Sequence, residues 1–194
     1  LFGLAMRLGK EVELSEAFRW AGLTAAASLA PEATLFVNAH PKEMFQEAFY
    51  RSIALLRAML PTARLVVEVH ESAVTQIDDV RAMADRLAGY GVQFAYDDFG
   101  AGQARLLELA EVPPHFVKFD MGLIRGLDRA SAKKQQLVAQ LVNIVHDVGS
   151  TALAEGVETR DEAACCAQMN FDLIQGFWTG RPASGDELRQ YHPH

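Results

Sequence analysis

Cysteine is scarce in this chain of 194 residues, which has only the adjacent pair Cys165 and Cys166. Neighbouring cysteines rarely bond to each other, and the sequence has no CxxC or cysteine–histidine spacing typical of a metal site. We therefore expect two small buried thiols in a reducing compartment. A disulfide framework and a structural zinc site are excluded.

Long apolar runs are also missing. The longest segments without a charged residue, 20–31 and 135–146, are far shorter than the roughly 20 apolar residues that a membrane span needs. The sequence shows no signal-peptide pattern. Because the chain begins with Leu1 rather than Met, we expect it to be part of a longer protein.

An excess of basic residues is absent as well. Lysine and arginine number 18 against 25 aspartates and glutamates, which gives a net charge of −7. Duplex binding relies on neutralising phosphates with basic side chains, so we expect no nucleic-acid polymer as partner. A small phosphate ligand held through metal ions remains compatible with this charge. The balance of 50% hydrophobic and 22% charged residues is typical of a globular domain.

Familiar nucleotide and hydrolase motifs do not occur: the sequence has no P-loop, GxSxG or HExxH. Gly100 and Gly102 do not form a dinucleotide fingerprint, because Arg105 occupies the third glycine position. We interpret the segment 100–102 as a candidate mobile loop.

Strand and helix patterns alternate along the chain. Short apolar runs predict strands at 35–38, 64–69, 92–96, 116–119, 151–154 and 173–175. Helical patterns occupy 12–29, 42–60, 74–90, 105–109, 132–148, 161–169 and 186–190. Asp161 is the predicted cap of the helix over 161–169. This alternation predicts an α/β fold with parallel strands. Because a (β/α)₈ barrel needs eight strands and about 250 residues, we predict a barrel whose first strands lie upstream of Leu1. An open doubly wound sheet is the alternative.

Polar side chains mark the carboxyl ends of these strands. They are Asn38, Glu68, Asp97 with Asp98, Lys118 followed by Asp120, Glu155 followed by Glu158, and Gln175. In a βα barrel these ends converge on the face that holds the active site. Clustered carboxylates raise each other's pKa unless a cation compensates them. Oxygen ligands of this kind suit Mg²⁺ or Mn²⁺.

Each of these residues also has a plain structural interpretation. Asp98 could serve only the turn that follows it, and His70 is more simply a hydrogen-bonded histidine than a ligand. Lys118 could be a buried counter-ion of Asp120 or Glu155. It could also stabilise a phosphoryl oxygen, orient a water, or form a Schiff base. The recurrence of suitable groups at six consecutive strand ends favours a common site.

The motifs VNAHP, VEVHES, YDDFGAG, VKFD, AEGVET and QGF…GRP occur in this order between residues 37 and 182, within a family match that runs from residue 1 to about 183. Together they resemble the EAL domain of bacterial cyclic di-GMP phosphodiesterases. The resemblance implies one domain over 1–194 with a (β/α)₈-like barrel that contains one antiparallel strand. It also implies hydrolysis of cyclic di-GMP to linear pGpG with Mg²⁺ or Mn²⁺, in a two-metal site.

The resemblance assigns roles residue by residue. The positions that match metal ligands are Asn38, Glu68, Asp97, Asp98 and Glu155. Those that match catalytic groups are Asp98, Glu155 and Lys118, of which Lys118 resembles the lysine that contacts the attacking water. Glu71 resembles the glutamate that holds the loop after the aspartate pair. The matches to the remaining positions around the site are Asp120, Glu158 and Gln175.

Departures from the family pattern leave an alternative open. The Glu-Ala-Leu signature, which supplies one metal ligand, is absent, and we attribute this to residues upstream of Leu1. A cyclic di-GMP receptor without hydrolysis is therefore the alternative, and a Schiff-base barrel enzyme is a third hypothesis. The loop AGQARL replaces the common TGYSSL, which bears on the homodimer that the family implies. A cytoplasmic location, with an upstream sensory or regulatory domain, is also expected.

Overall fold

The computed structural model describes residues 1–26, 33–70, 76–101, 106–185 and 187. The chain forms two compact units, of which one comprises residues 1–94 with 183–194 and the other residues 95–182. Within the described ranges, every helix is too short or too polar to cross a membrane.

Six parallel strands alternate with helices, which confirms the predicted α/β fold. The strands are β1 (Thr34–Ala39), β2 (Arg64–His70), β3 (Gln93–Phe99), β4 (Phe116–Phe119), β5 (Thr151–Glu155) and β6 (Leu173–Gln175). The hydrogen-bonded order in the sheet follows the chain from β1 to β6. The pairs β1–β2, β3–β4, β4–β5 and β5–β6 are parallel.

The first unit contains the helices α1 (Phe2–Leu8), α2 (Glu11–Ala26), α3 (Glu47–Met59) and α4 (Ile77–Gly89). Phe49, Ile53 and Leu56 form the buried face of α3, at the spacing that predicts a helix. The predicted start of α3 at residue 42 is wrong. Residues 41–45 form turns in which the amide of Glu43 donates to the carbonyl of His40, and the helix starts only at Glu47.

Helix α1 was not predicted from the sequence. It ends at Gly9, which adopts the left-handed conformation at φ 63° and donates to the carbonyls of Ala5 and Met6. Leu4 and Leu8 are exposed, so the segment lacks a clear apolar face. The predicted ends of α2 at residue 29 and of the last helix at residue 190 lie outside the described residues.

The second unit contains α5 (Leu106–Glu111), α6 (Met121–Ile124), a 3₁₀-helix (Leu127–Arg129), α7 (Ala132–Asp147) and α8 (Arg160–Gln168). All four residues of β4 are buried, and Phe119 contacts Phe99 and Phe171 edge-to-face at centroid distances of 5.2 and 4.9 Å. The sequence did not predict α6 or the 3₁₀-helix, because neither element is long enough to show the apolar period of a helix.

The predicted cap of α8 is corrected from Asp161 to Thr159. The Thr159 hydroxyl accepts from the amide of Glu162, whose carboxylate accepts from the amide of Thr159 in return. This reciprocal capping box satisfies two amides that the helix itself leaves unpaired. Cys165 and Cys166 are free and buried as predicted, and burial raises the pKa of the Cys166 thiol to about 12.

Candidate active site

A β-bulge places two aspartates opposite one lysine. The register of β3 against β4 shifts between Tyr96 and Phe99, so that Asp97 and Asp98 together face Lys118. In a regular strand, successive side chains point to opposite faces, whereas a bulge redirects one of them. Asp98 has φ 58°, a left-handed conformation that is uncommon outside glycine and concentrates at functional sites.

Lys118 bridges two carboxylates from the strands on either side of β4. Its Nζ lies 2.8 Å from Asp97 Oδ1 on β3 and 2.8 Å from Glu155 Oε1 at the end of β5. The lysine is only 4% exposed. Buried lysines are rare unless they are paired, so these carboxylates account for its position. Of the interpretations that the sequence left open, the structure shows the ion pair with Glu155 and adds Asp97.

Three carboxylates of the second unit form a group that fits a divalent cation. Asp97, Asp98 and Glu155 each offer one oxygen, and these oxygens lie within 4.8 Å of one another. Ligands on opposite sides of a Mg²⁺ ion are about 4.2 Å apart, so small side-chain adjustments would close the group on one ion. The group offers only hard oxygen donors, and donors of this kind favour Mg²⁺ or Mn²⁺.

Asn38 and Glu68 lie side by side in the first unit. They are register partners at the carboxyl ends of β1 and β2, where Glu68 is buried and Asn38 is exposed. Partners in adjacent parallel strands are about 4.8 Å apart and project to the same face. The structure therefore brings together this predicted pair within the first unit.

The remaining predicted positions show other contacts. Asp120 is the N-cap of α6 and accepts from the amide of Gly122 at 2.8 Å. Glu158 forms an ion pair with Arg125. Gln175 is exposed and in register with Glu155. Glu71, together with Gly102 of the predicted loop, lies outside the described residues.

A carboxylate that the sequence analysis missed holds the segment after Glu155. Glu162 accepts from the amides of Gly126 at 2.8 Å, Glu158 at 2.9 Å and Thr159 at 3.1 Å. Burial raises the pKa of this carboxyl, but the three amides outweigh burial and leave its pKa below the ordinary value. The sequence signal for this role was the spacing Thr-x-x-Glu, typical of a capping box.

Two glycines make close approaches in the same region. Gly156 has φ 71°, and a Cβ there would lie 2.5 Å from Met121 Cβ. At Gly176, a Cβ would lie 2.1 Å from the carbonyl oxygen of Val157, which is backbone and has no rotamer to move. The glycines of the short motifs AEG and QG therefore allow neighbouring segments to approach closely, next to the register pair Glu155 and Gln175.

A buried polar network in the first unit was also missed. Arg19 on α2 pairs with Glu43, and Ser15 donates to the same carboxylate. The available signal was the four-residue spacing of the buried residues of α2, which are Glu11, Ser15, Arg19 and Leu23. Three of them are polar, which is unusual for a helix face directed at the protein interior.

The sequence model of the EAL domain matches residues 1–182. The chain belongs to the EAL domain family. This finding confirms the resemblance that the strand-end motifs indicated. Several relatives are named cyclic di-GMP phosphodiesterases, which supports hydrolysis at the level of the family.

Individual relatives agree with this membership. The bifunctional diguanylate cyclase/cyclic di-GMP phosphodiesterase MucR of Pseudomonas aeruginosa is 33% identical over 136 residues, which cover 70% of this chain and 20% of MucR. The first three curated relatives are matched over only 20–30% of their own length.

Solved structures confirm the EAL fold. The EAL domain of Mycobacterium smegmatis DcpA is 27% identical, with a TM-score of 0.75 over 91% of this chain and 78% of DcpA. Klebsiella pneumoniae BlrP1 in a manganese/cyclic di-GMP complex is 28% identical, with a TM-score of 0.81 over 94% of this chain and 47% of BlrP1.

Proposed function

We propose that this EAL domain is a metal-dependent phosphodiesterase that hydrolyses cyclic di-GMP to linear pGpG in bacterial second-messenger signalling. The observation that carries the proposal is the group of Asp97, Asp98 and Glu155 around Lys118. Its clustered carboxylate oxygens suit divalent cations, and the relatives named for this reaction supply the substrate class.

The proposed metal ligands are the three carboxylates of this group together with Asn38 and Glu68. Bound Mg²⁺ or Mn²⁺ would lower the pKa of a water and neutralise charge on the phosphoryl oxygens. The family resemblance favours two ions. Asn38 contributes a neutral carbonyl oxygen, which suits a hard cation without adding negative charge.

Lys118 is proposed to orient the attacking water or to donate to a phosphoryl oxygen. Its ammonium group has three donors, and Asp97 and Glu155 hold it in place. In the reaction, the water oxygen forms a bond to phosphorus and the bond from phosphorus to the 3′ oxygen breaks. The leaving oxygen gains a proton, and the linear product keeps a 5′-phosphate.

The other predicted residues are proposed to support this site. Asp120 caps α6, which directly follows β4 and its lysine. Glu158 and Gln175 flank the end of β5, and Glu71 is proposed to hold the loop after the aspartate pair. We further propose that residues 1–194 act as one EAL domain in a cytoplasmic homodimer, with a sensory or regulatory domain elsewhere in the protein.

The direct test is incubation of the protein with cyclic di-GMP and Mn²⁺, with chromatography of the products. We expect pGpG to form and a chelator to stop its formation. Intact ligand that binds tightly without turnover would instead assign the domain as a cyclic di-GMP receptor. Absence of both binding and turnover would contradict the proposal.

A further inference from the structure

The buried face of α2 is polar where a helix face normally packs with apolar side chains. Ser15, Arg19 and Glu11 lie on this face at four-residue spacing, in line with Leu23. Burying such groups costs several kcal/mol unless they are paired and hydrogen-bonded. The face must therefore contact a polar partner.

That partner is Glu43, in the turn between β1 and α3. Arg19 Nη1 and Nη2 donate to Glu43 Oε1 and Oε2 at 3.0 and 2.9 Å, and the Ser15 hydroxyl donates to Oε1 at 2.7 Å. The two charged side chains are 1% and 3% exposed. The Arg19 guanidinium also stacks over Phe49, 5.0 Å from the ring centroid. We call the bidentate pair the Arg19–Glu43 clamp.

The clamp holds the backbone on both sides of Ala39, where β1 ends. Arg19 Nη1 donates to the carbonyl oxygen of Asn38 at 3.1 Å, and the amide of His40 donates to Glu43 Oε1 at 2.8 Å. Fixing these two peptide groups restricts the backbone of Asn38. The direction of the Asn38 side chain, beside its register partner Glu68, is restricted with it.

Stability alone does not explain a buried ion pair of this kind. Apolar residues of similar volume are often as stabilising or more so, because the desolvation of two charges offsets their attraction. An apolar pair could join α2 to the turn, but it could not bond to the Asn38 carbonyl and the His40 amide. Only the charged pair does both.

We propose that Arg19 and Glu43 are positioning residues that orient Asn38 toward a divalent cation, an inference that rests on the proposed function. Residues that orient metal ligands change metal affinity or activity about 10–100-fold when they are replaced. The clamp touches neither substrate nor cation, and it acts through the backbone of Asn38.

The test replaces the charged pair by apolar residues, in the double variant Arg19→Met with Glu43→Leu. The matched control is Arg86→Met with Glu47→Leu, which removes an exposed bidentate pair of the same unit at 2.7 and 2.9 Å. Mn²⁺ affinity is measured by electron paramagnetic resonance, and the Asn38 side-chain amide is followed by NMR for broadening by Mn²⁺. The thermal unfolding temperature, and kcat and KM for cyclic di-GMP, are measured for the same proteins.

We expect the clamp variant to unfold close to the wild-type temperature and to bind Mn²⁺ at least about tenfold more weakly. In the clamp variant, the broadening of the Asn38 signal by Mn²⁺ should disappear, and kcat should fall by a larger factor than the factor by which KM changes. The control variant should keep the wild-type values. A folded clamp variant with wild-type Mn²⁺ affinity and wild-type broadening would overturn the inference.

A single variant, Arg19→Lys, covers the case in which the double variant does not fold. Lysine keeps the charge but lacks the fork that reaches both Glu43 oxygens and the Asn38 carbonyl. We expect intermediate Mn²⁺ affinity, and wild-type affinity would again overturn the clamp. If the wild-type protein binds Mn²⁺ at Asn38 without hydrolysing cyclic di-GMP, the proposed function fails, while the clamp is still judged by Mn²⁺ binding.

Discussion

Lys118 Nζ lies 2.8 Å from Asp97 Oδ1 across the bulge between β3 and β4. The bulge lets Asp97 reach the lysine while Asp98 offers an oxygen to the same group as Glu155. A regular strand would send one of the two aspartates to the other face of the sheet. The local irregularity of β3 is therefore what assembles the candidate cation site.

Replacing Asp98 with Asn should abolish most turnover. The substitution keeps the size of the side chain but removes one negative charge from the proposed ligand group. We expect the rate of pGpG formation to fall about 10³-fold or more, because a lost metal ligand raises the barrier by several kcal/mol. The matched control is Asp161→Asn in the first turn of α8, which should keep wild-type turnover. Normal turnover in Asp98→Asn would remove Asp98 from the catalytic residues.

Lys118→Met should destabilise the protein in a way that Mn²⁺ relieves. Without the ammonium, the mostly buried carboxylates of Asp97 and Glu155 lose their shared partner, which costs about 3–5 kcal/mol for a broken buried pair. A divalent cation restores positive charge at the same oxygens. Thermal unfolding with and without Mn²⁺ measures this effect, and Lys133→Met on exposed α7 surface is the control. An equal loss of stability in both conditions would contradict a cation at these carboxylates.

Gly176→Ala should be among the most damaging small substitutions in the second unit. The added Cβ would meet the Val157 carbonyl oxygen at 2.1 Å, so the backbone itself must move. We expect the free energy of unfolding to fall by at least about 2 kcal/mol. Gly180→Ala is the matched control, because nothing lies within 4 Å of its Cβ. Urea unfolding checks both, and equal stability of the two variants would contradict the close approach.

The strand–helix alternation was predictable because it depends on local apolar periodicity. The bulge was not, since the apolar run stops at Tyr96 and the pairing of Asp97 and Asp98 depends on their register with distant β4. The Asp98 conformation therefore became visible only in the structure.

Arg19 and Glu43 were missed for a different reason. Charged residues are assigned to the surface by default, and burial becomes favourable only when two distant segments supply each other's partners. The four-residue spacing of the buried residues on α2 indicates one mostly polar helix face, but it does not identify the turn that contacts this face. The candidate ligands were proposed from the sequence because strand ends in this architecture share one edge.

Glu162→Gln should lose stability in a pH-dependent way. Burial raises the pKa of the Glu162 carboxyl, but amides of Gly126, Glu158 and Thr159 together lower it below the ordinary value of 4.5. A group with a lowered folded pKa stabilises the protein above its unfolded pKa and loses that contribution as the pH falls through the folded value.

We expect the Glu162→Gln variant to be about 1–3 kcal/mol less stable at pH 7, because a neutral amide replaces the acceptor of three hydrogen bonds. The difference should shrink below about pH 4.5 in urea unfolding at several pH values. Asp161→Asn, on the exposed side of the same helix turn, is the matched control variant. A difference between wild type and Glu162→Gln that stays constant down to acid pH would show that the carboxylate charge is not what holds the loop after β5.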